Sequence, residues 1–167
     1  MNIPVRVEPP VGSPAGVDYR WDGDTDILSA VVRSEPAAER PRATALELEG
    51  PDGSWLILDV RAGRISGVEV AVWPEVRTRA DLAPPSVVED GTVIVGAVER
   101  GKRLAVEVDT RLAAEADRSE RTIHFRLGSN RVSRTVRIAR DLLVDIDPRD
   151  RIAGLWLLGV PPFPDEP

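Results

Sequence analysis

Cysteine is absent from this chain, and histidine occurs once, at His124. The first absence excludes disulfides and thiolate metal sites, and the second excludes any centre that needs two imidazoles, so zinc chemistry is not expected. Lysine is almost as scarce: Lys102 stands alone among 22 basic residues, a bias that reads as GC-rich coding rather than as function. The Arg residues are interleaved with Asp and Glu, and the formal net charge is −6, which argues against a nucleic-acid surface, because phosphate binding draws on clustered cations. No apolar run approaches membrane-spanning length, and the opening MNIPVRVEPP lacks a charged-then-apolar signal pattern. These absences point to a soluble cytoplasmic protein with no membrane or nucleic-acid partner and no cofactor. At 167 residues the chain is long enough to bury roughly 70% of its unfolded surface in one body or two small ones.

What is present is a repetition. Leu56 to Val70 reads LILDVRAGRISGVEV and Leu142 to Leu157 reads LLVDIDPRDRIAGLWL: an apolar run, an Asp, a turn, Arg-Ile, a Gly and a second apolar run. Upstream of each, Leu28, Ala30 and Val32 alternate as Ile123, Phe125 and Leu127 do, each set following a charged turn. A repeat of this length sets the architecture before any single residue is interpreted. Repeat one covers about 17–75, repeat two about 111–160, and a connecting hairpin about 86–109 is expected between them, centred on Thr92 to Val108.

Period-two alternation dominates both copies and predicts half-buried strands, with several segments apolar on both faces and therefore central or at an interface. Turns such as Pro51-Asp52-Gly53, Ala62-Gly63, Arg100-Gly101 and Gly128-Ser129-Asn130 separate them. Ser34 to Arg42, Pro-broken and polar, reads as a mobile loop inserted into the first copy. Arg111 to Asp117 is rich in helix formers, yet the register of the repeat lays it over the aromatic strand Val17 to Trp21, so an extended segment is expected. Short connections imply antiparallel meanders. The fold class is all-β: two related antiparallel β-meanders packed with pseudo-two-fold symmetry, sandwich or barrel-like, with little helix, in one compact body over 1–167.

The second copy, RTIHFRLGSNRVSRTVRIARDLLVDIDPRDRIAGLWLLGV, resembles the bacterial domain-of-unknown-function family 2283, whose pattern runs Y-D-x-x-x-D-x-L-Y-I-x-L and then L-V-D-x-D-x-x-G-R-I-x-G-I-E-I-L. The first copy fits it through Tyr19 to Leu28 and through Leu56 to Val70, so the whole resembles that family in tandem duplicated form. Arg121, Trp156 and Asp150 stand where the pattern has Asp, Glu and Gly. The resemblance implies a bacterial origin, a β-meander and no established activity.

Few constellations suggest chemistry. Asp22, Asp24 and Asp26 begin like a calcium loop, but Ile27 and Arg33 occupy the positions of its Gly and its final Glu, which favours a hairpin turn whose carboxylates bond backbone N–H groups. Asp145, Asp147 and Asp150 invite an acid–base reading, against which stands the recurrence of Asp145 as Asp59, a sign of turn or strand-edge roles within each copy. His124, between Thr122 and Arg126 on a polar face, reads as a solvent-facing or edge residue. The Gly12 to Gly16 turn and Val95-Gly96-Ala97 lack a phosphate-loop arrangement. No catalytic, cofactor or metal residue is assigned.

Trp55, Trp73 and Trp156 are the least ordinary feature, since they lie on strand faces opposite those already apolar. Packing between the copies is one explanation, and an exposed aromatic patch that binds a partner is the other. The expected function is a non-enzymatic protein-binding or accessory module with a protein partner or as a homodimer. The alternative is a small-molecule-binding β-fold or enzyme with a site between the two repeats.

Overall fold

A computed structural model describes residues 3–33, 43–96 and 105–164. The loop expected over Ser34 to Arg42 and the Arg100-Gly101 turn lie outside the described residues. The first copy is preceded by β1 (Val5–Glu8) and consists of β2 (Val17–Asp22), β3 (Ile27–Val32), β4 (Thr44–Glu49), β5 (Trp55–Arg61) and β6 (Arg64–Val72). Four short strands follow: β7 (Val76–Thr78), β8 (Glu89–Asp90), β9 (Thr92–Val95) and β10 (Ala105–Asp109). The second copy comprises β11 (Leu112–Ala116), β12 (Ile123–Leu127), β13 (Arg134–Ala139), β14 (Leu142–Ile146) and β15 (Ile152–Leu157). Among the described residues no helix is long and apolar enough to cross a membrane.

The strands form two sheets, and each copy supplies the heart of one. In the first, β2 pairs β3, β3 pairs β6, β6 pairs β5 and β5 pairs β4; in the second, β11, β12, β15, β14 and β13 follow in the same spatial order, all antiparallel. The topology is thus duplicated along with the sequence. Within each copy the last three strands form a meander, and the preceding hairpin docks beside its final strand, a Greek-key arrangement. This puts β6 and β15 in the interior of their sheets. The uninterrupted burial of β14 and β15 on both faces is what such central positions require.

β11 is extended, as the repeat predicts and its composition alone does not. It lies between β12 and β7, and Leu112, Ala114 and Ala116 are buried while Ala113 stays exposed, so pairing on both edges outweighs a weak helical preference. The connecting hairpin is corrected. β9 pairs β1 and touches β6 at Arg64, whereas β10 runs parallel to β4 at the far edge of the same sheet. The two strands cap different positions of the first sheet and do not pair with each other. β7 and β8 likewise close the edges of the second sheet in parallel pairing, so the segments between the copies cover sheet edges that would otherwise be open.

One apolar cluster takes Leu28, Leu46, Leu56, Leu58 and Val70 from the first sheet and Phe125, Val144, Leu155 and Leu157 from the second. Leu143 and Trp156 are buried outside that cluster, on the opposite face of the second sheet.

Candidate functional site

The opposite face of the second sheet holds the densest polar constellation. Asp145 is 1% exposed and directly faces Thr135 on β13 and Gly154 on β15, while His124 faces Trp156 across β12 and β15. Four hydrogen bonds converge on its carboxylate. Thr135 Oγ1 donates to Oδ1 at 2.7 Å, His124 Nε2 donates to Oδ2 at 2.8 Å, and Trp156 Nε1 reaches both oxygens at 3.2 Å. A carboxylate only accepts, so the His124 proton facing it sits on Nε2. The imidazole stacks on the Trp156 indole with centroids 4.0 Å apart and planes 15° from parallel. Burying a carboxylate is tolerated only when its lone pairs are filled, and these three side chains fill them.

Two expectations are corrected here. His124 is not solvent-facing, because Trp156 covers its ring and leaves the side chain 12% exposed. Asp145 is not at a strand edge, because β14 lies between β13 and β15. Trp156 likewise leaves the group of partner-binding candidates: it is 5% exposed, and its indole is held by Asp145 and His124.

Glycine is obligatory opposite the carboxylate. A Cβ on Gly154 would stand 2.6 Å from the Phe125 carbonyl oxygen and 2.8 Å from Asp145 Oδ2. The first copy repeats the pair: Asp59 faces Gly67, whose Cβ would stand 3.0 Å from the Ala30 carbonyl oxygen and 3.2 Å from Asp59 Oδ2, and in both copies the pairing register shifts just after the Asp. Its surroundings differ. Where the second copy has Thr135, Trp156 and His124, the register places Ala45, Glu69 and Ser29. Without those donors, burial raises the Asp59 carboxyl against the opposing pull of Arg61, and burial together with the Asp59 charge raises Glu69. One copy has thus completed the hydrogen bonds of its buried Asp, and the other keeps two half-buried carboxylates side by side.

Asp22, Asp117, Asp147 and Asp150 build turns. Asp22 Oδ1 accepts the Asp24 N–H at 3.0 Å, and the chain leaves that turn through Asp26 at a φ of 60°. Asp117 accepts from Ser119 Oγ and from the Arg121 and Thr122 N–H groups at the matching hairpin of the second copy. Asp147 accepts from the N–H groups of Arg149 and Arg151, and the Arg151 Nε donates to its Oδ2 at 2.8 Å. Asp150, at a φ of 58°, supplies the left-handed step of that turn and makes no part of an acid–base pair.

The aromatic residues divide differently from expectation. Trp55 is half-buried at the start of β5, and its Nε1 is shielded from solvent with no acceptor among the described residues. Trp73 stacks on Trp21, with centroids 5.7 Å apart and planes 19° from parallel, packs against Phe125, and donates from Nε1 to the Asp26 carbonyl. Trp21 in turn meets Phe163 edge-on at 5.1 Å and donates to the Pro161 carbonyl. These rings line a groove of about 530 Å³, with Pro161 and Pro162 as one wall and Asp26 and Glu120 at the rim. Asp26 and Glu120 belong to the equivalent hairpin turns of the two copies, so the groove runs between the repeats. Trp21 and Phe163 were not among the expected residues. The aromatic alternation of Tyr19 and Trp21 was the available signal for the first; Phe163, in a Pro-rich tail, offered none.

A His oriented by a buried Asp has the form of a general base, but that role requires a cavity at its free nitrogen. The His124 ring is stacked against Trp156, and its side chain is 12% exposed. The hydrogen-bonding groups of Asp145 are satisfied within the fold, whereas the aromatic groove leaves the Phe163 ring exposed. No protein-family model matches the chain, and no curated protein matches it.

Proposed function

We propose that this protein is a non-enzymatic binding module that holds an extended, basic and proline-bearing segment of a partner protein in the groove of Trp21, Trp73 and Phe163. The observation that carries this reading is the half-buried Trp21–Trp73 stack beside the exposed ring of Phe163. Rigid aromatic surface of this kind is enriched at binding hot spots, and grooves lined by aromatic rings accept polyproline-type segments. The exposed carboxylates of Asp26 and Glu120 on the rim supply charge complementarity to a cationic segment, in a chain whose net charge is −6. The resemblance to family 2283, which implies no established activity, agrees with a role that needs no chemistry of its own. A bacterial cytoplasm is the setting proposed for it.

The test uses the full chain and two synthetic peptides, one of repeated Pro-Arg units and one of repeated Pro-Glu units, with binding followed by Trp fluorescence and calorimetry. The Pro-Arg peptide binds and the Pro-Glu peptide does not. Phe163→Ala and Trp73→Ala each weaken binding by about thirtyfold, the ~2 kcal/mol of a hot-spot residue. Phe163 is exposed whereas Trp73 packs against the core, so Phe163→Ala is the variant that leaves folding intact, and undiminished Pro-Arg binding by it overturns the proposal. So does a dimer of the unliganded chain that dissociates on Phe163→Ala, since a second copy would then own the groove.

A further inference from the structure

A second cleft, with none of the aromatic groove's residues in its wall, lies where the two sheets meet. Its walls are the Pro10 to Ala15 segment, the end of β3, the β5–β6 turn and β13, and it encloses about 580 Å³, within the range of small-molecule sites. Four Arg side chains line it, Arg33, Arg61 and Arg64 from the first copy and Arg137 from the second, against one carboxylate, Asp90. In a chain of net charge −6 this is a local inversion of sign. We propose that this cleft binds a small organic anion, a phosphate or carboxylate carried on an apolar body.

Arg64 and Arg137 are available to a ligand. Arg64 is exposed and its side chain has no ion-pair or hydrogen-bond partner among the described residues, and Arg137 holds Asp90 only loosely, at 3.6 Å with both groups partly exposed. Exposed pairs of this kind contribute little and exchange readily for a better acceptor. Arg33 is tied to Asp18 at 2.7 Å, in a pair exposed on both sides. Planar guanidinium forks also match phosphate and carboxylate oxygens in bidentate fashion, which a scatter of Lys would not.

The rest of the wall sets the ligand's other half. Val31 and Val11 present exposed apolar surface at 45% and 78%, and Pro10 and Pro14 offer rings without N–H donors. Gly12, at a φ of 74°, bends the segment that carries them along the cleft. A small inorganic anion would leave this side uncovered, so an amphipathic anion fits better.

The experiment titrates the full chain with phenyl phosphate, benzoate, inorganic phosphate and phenol, read by amide chemical shifts and calorimetry. Phenyl phosphate or benzoate binds in the cleft and weakens with added salt, and whichever is tighter identifies the anion as phosphate or carboxylate. Inorganic phosphate and phenol each bind more weakly by about tenfold, ~1.4 kcal/mol, because each supplies only half of the recognition. Arg64→Gln and Arg137→Gln each lose about tenfold, whereas Arg111→Gln, outside this cleft, loses nothing. Binding of phenyl phosphate undiminished in the double variant overturns the proposal, as does equal binding of phenol, or no binding of either aromatic anion. Failure here leaves the peptide groove untouched, since the two sites share no residue.

Discussion

Asp145 and Gly154 face each other across β14 and β15, and the carboxylate lies over the glycine so closely that a methyl group there would stand 2.8 Å from Oδ2. Their recurrence as Asp59 and Gly67 explains why an Asp and a Gly sit at similar spacing in both copies: the pair is one structural device used twice.

Gly154→Ala is expected to destabilise the protein by about 3 kcal/mol, because the new methyl also meets the Phe125 carbonyl, and backbone cannot move as a side-chain tip can. Gly67→Ala should cost less, about 1 kcal/mol, since its closest contacts are 3.0 and 3.2 Å and Asp59 is only half-buried. Urea denaturation of both variants measures the difference. Equal costs, or a Gly154→Ala change below about 0.5 kcal/mol, would show that the carboxylate does not lie where described.

Tyr19 links the copies. Its hydroxyl donates to the Leu158 carbonyl at 2.7 Å and lies 3.2 Å from that of Asp141, so the first copy's opening strand holds the chain leaving β15. Burial raises this phenol, the Asp141 charge raises it further, and the hydrogen bond to Leu158 only partly offsets them. As the sole tyrosine of the chain, it can be followed alone by absorbance. The phenolate should appear only as the protein unfolds in alkali, since a raised folded value makes ionisation and folding oppose each other above the ordinary phenol range. Tyr19→Phe should cost about 1 kcal/mol and speed hydrogen exchange at the Leu158 amide. A phenolate signal near the ordinary phenol value in the folded state would remove Tyr19 from that position.

Strands were legible because alternation is local: Ile123, Phe125 and Leu127 announce a face within five residues. The extended state of β11 was legible only through the repeat, which transfers the register of Val17 to Trp21 onto residues that favour helix. What escaped was pairing between distant strands. His124 and Asp145 meet because β15 lies between β12 and β14, and nothing in either segment states that order. Trp156 looked surplus to packing for a nearer reason: alternation marks a face but not the buried carboxylate on the adjacent strand, Asp145, that needed its N–H. Trp21, Trp73 and Phe163 come from three remote segments, so only one of the three rings, Trp73, was singled out beforehand.

The carboxylates divide into two classes whose pH dependence runs in opposite directions. Removal from water raises Asp147, but the N–H of Arg151, its guanidinium and the N–H of Arg149 outweigh that and hold the carboxyl below its ordinary value. A lowered folded value contributes stability that is present above the unfolded value of about 4 and is lost as the pH falls through the folded one. Asp147→Asn should therefore cost about 1–2 kcal/mol near neutrality, with the difference from the parent shrinking as the solution is acidified. Asp59 and Glu69 are raised instead, so their contribution is favourable when protonated and is lost as the pH rises through their folded values. Asp59→Asn removes a charge that the first copy lacks the donors to satisfy, and it should raise the melting temperature at neutral pH while changing little in acid. Melting curves of the three proteins across the carboxylate range decide it. A penalty for Asp147→Asn that stays constant with pH would assign the turn's stability to shape alone. An Asp59→Asn variant less stable at neutrality than the parent would mean that the Asp59 carboxylate, like that of Asp145, has partners enough.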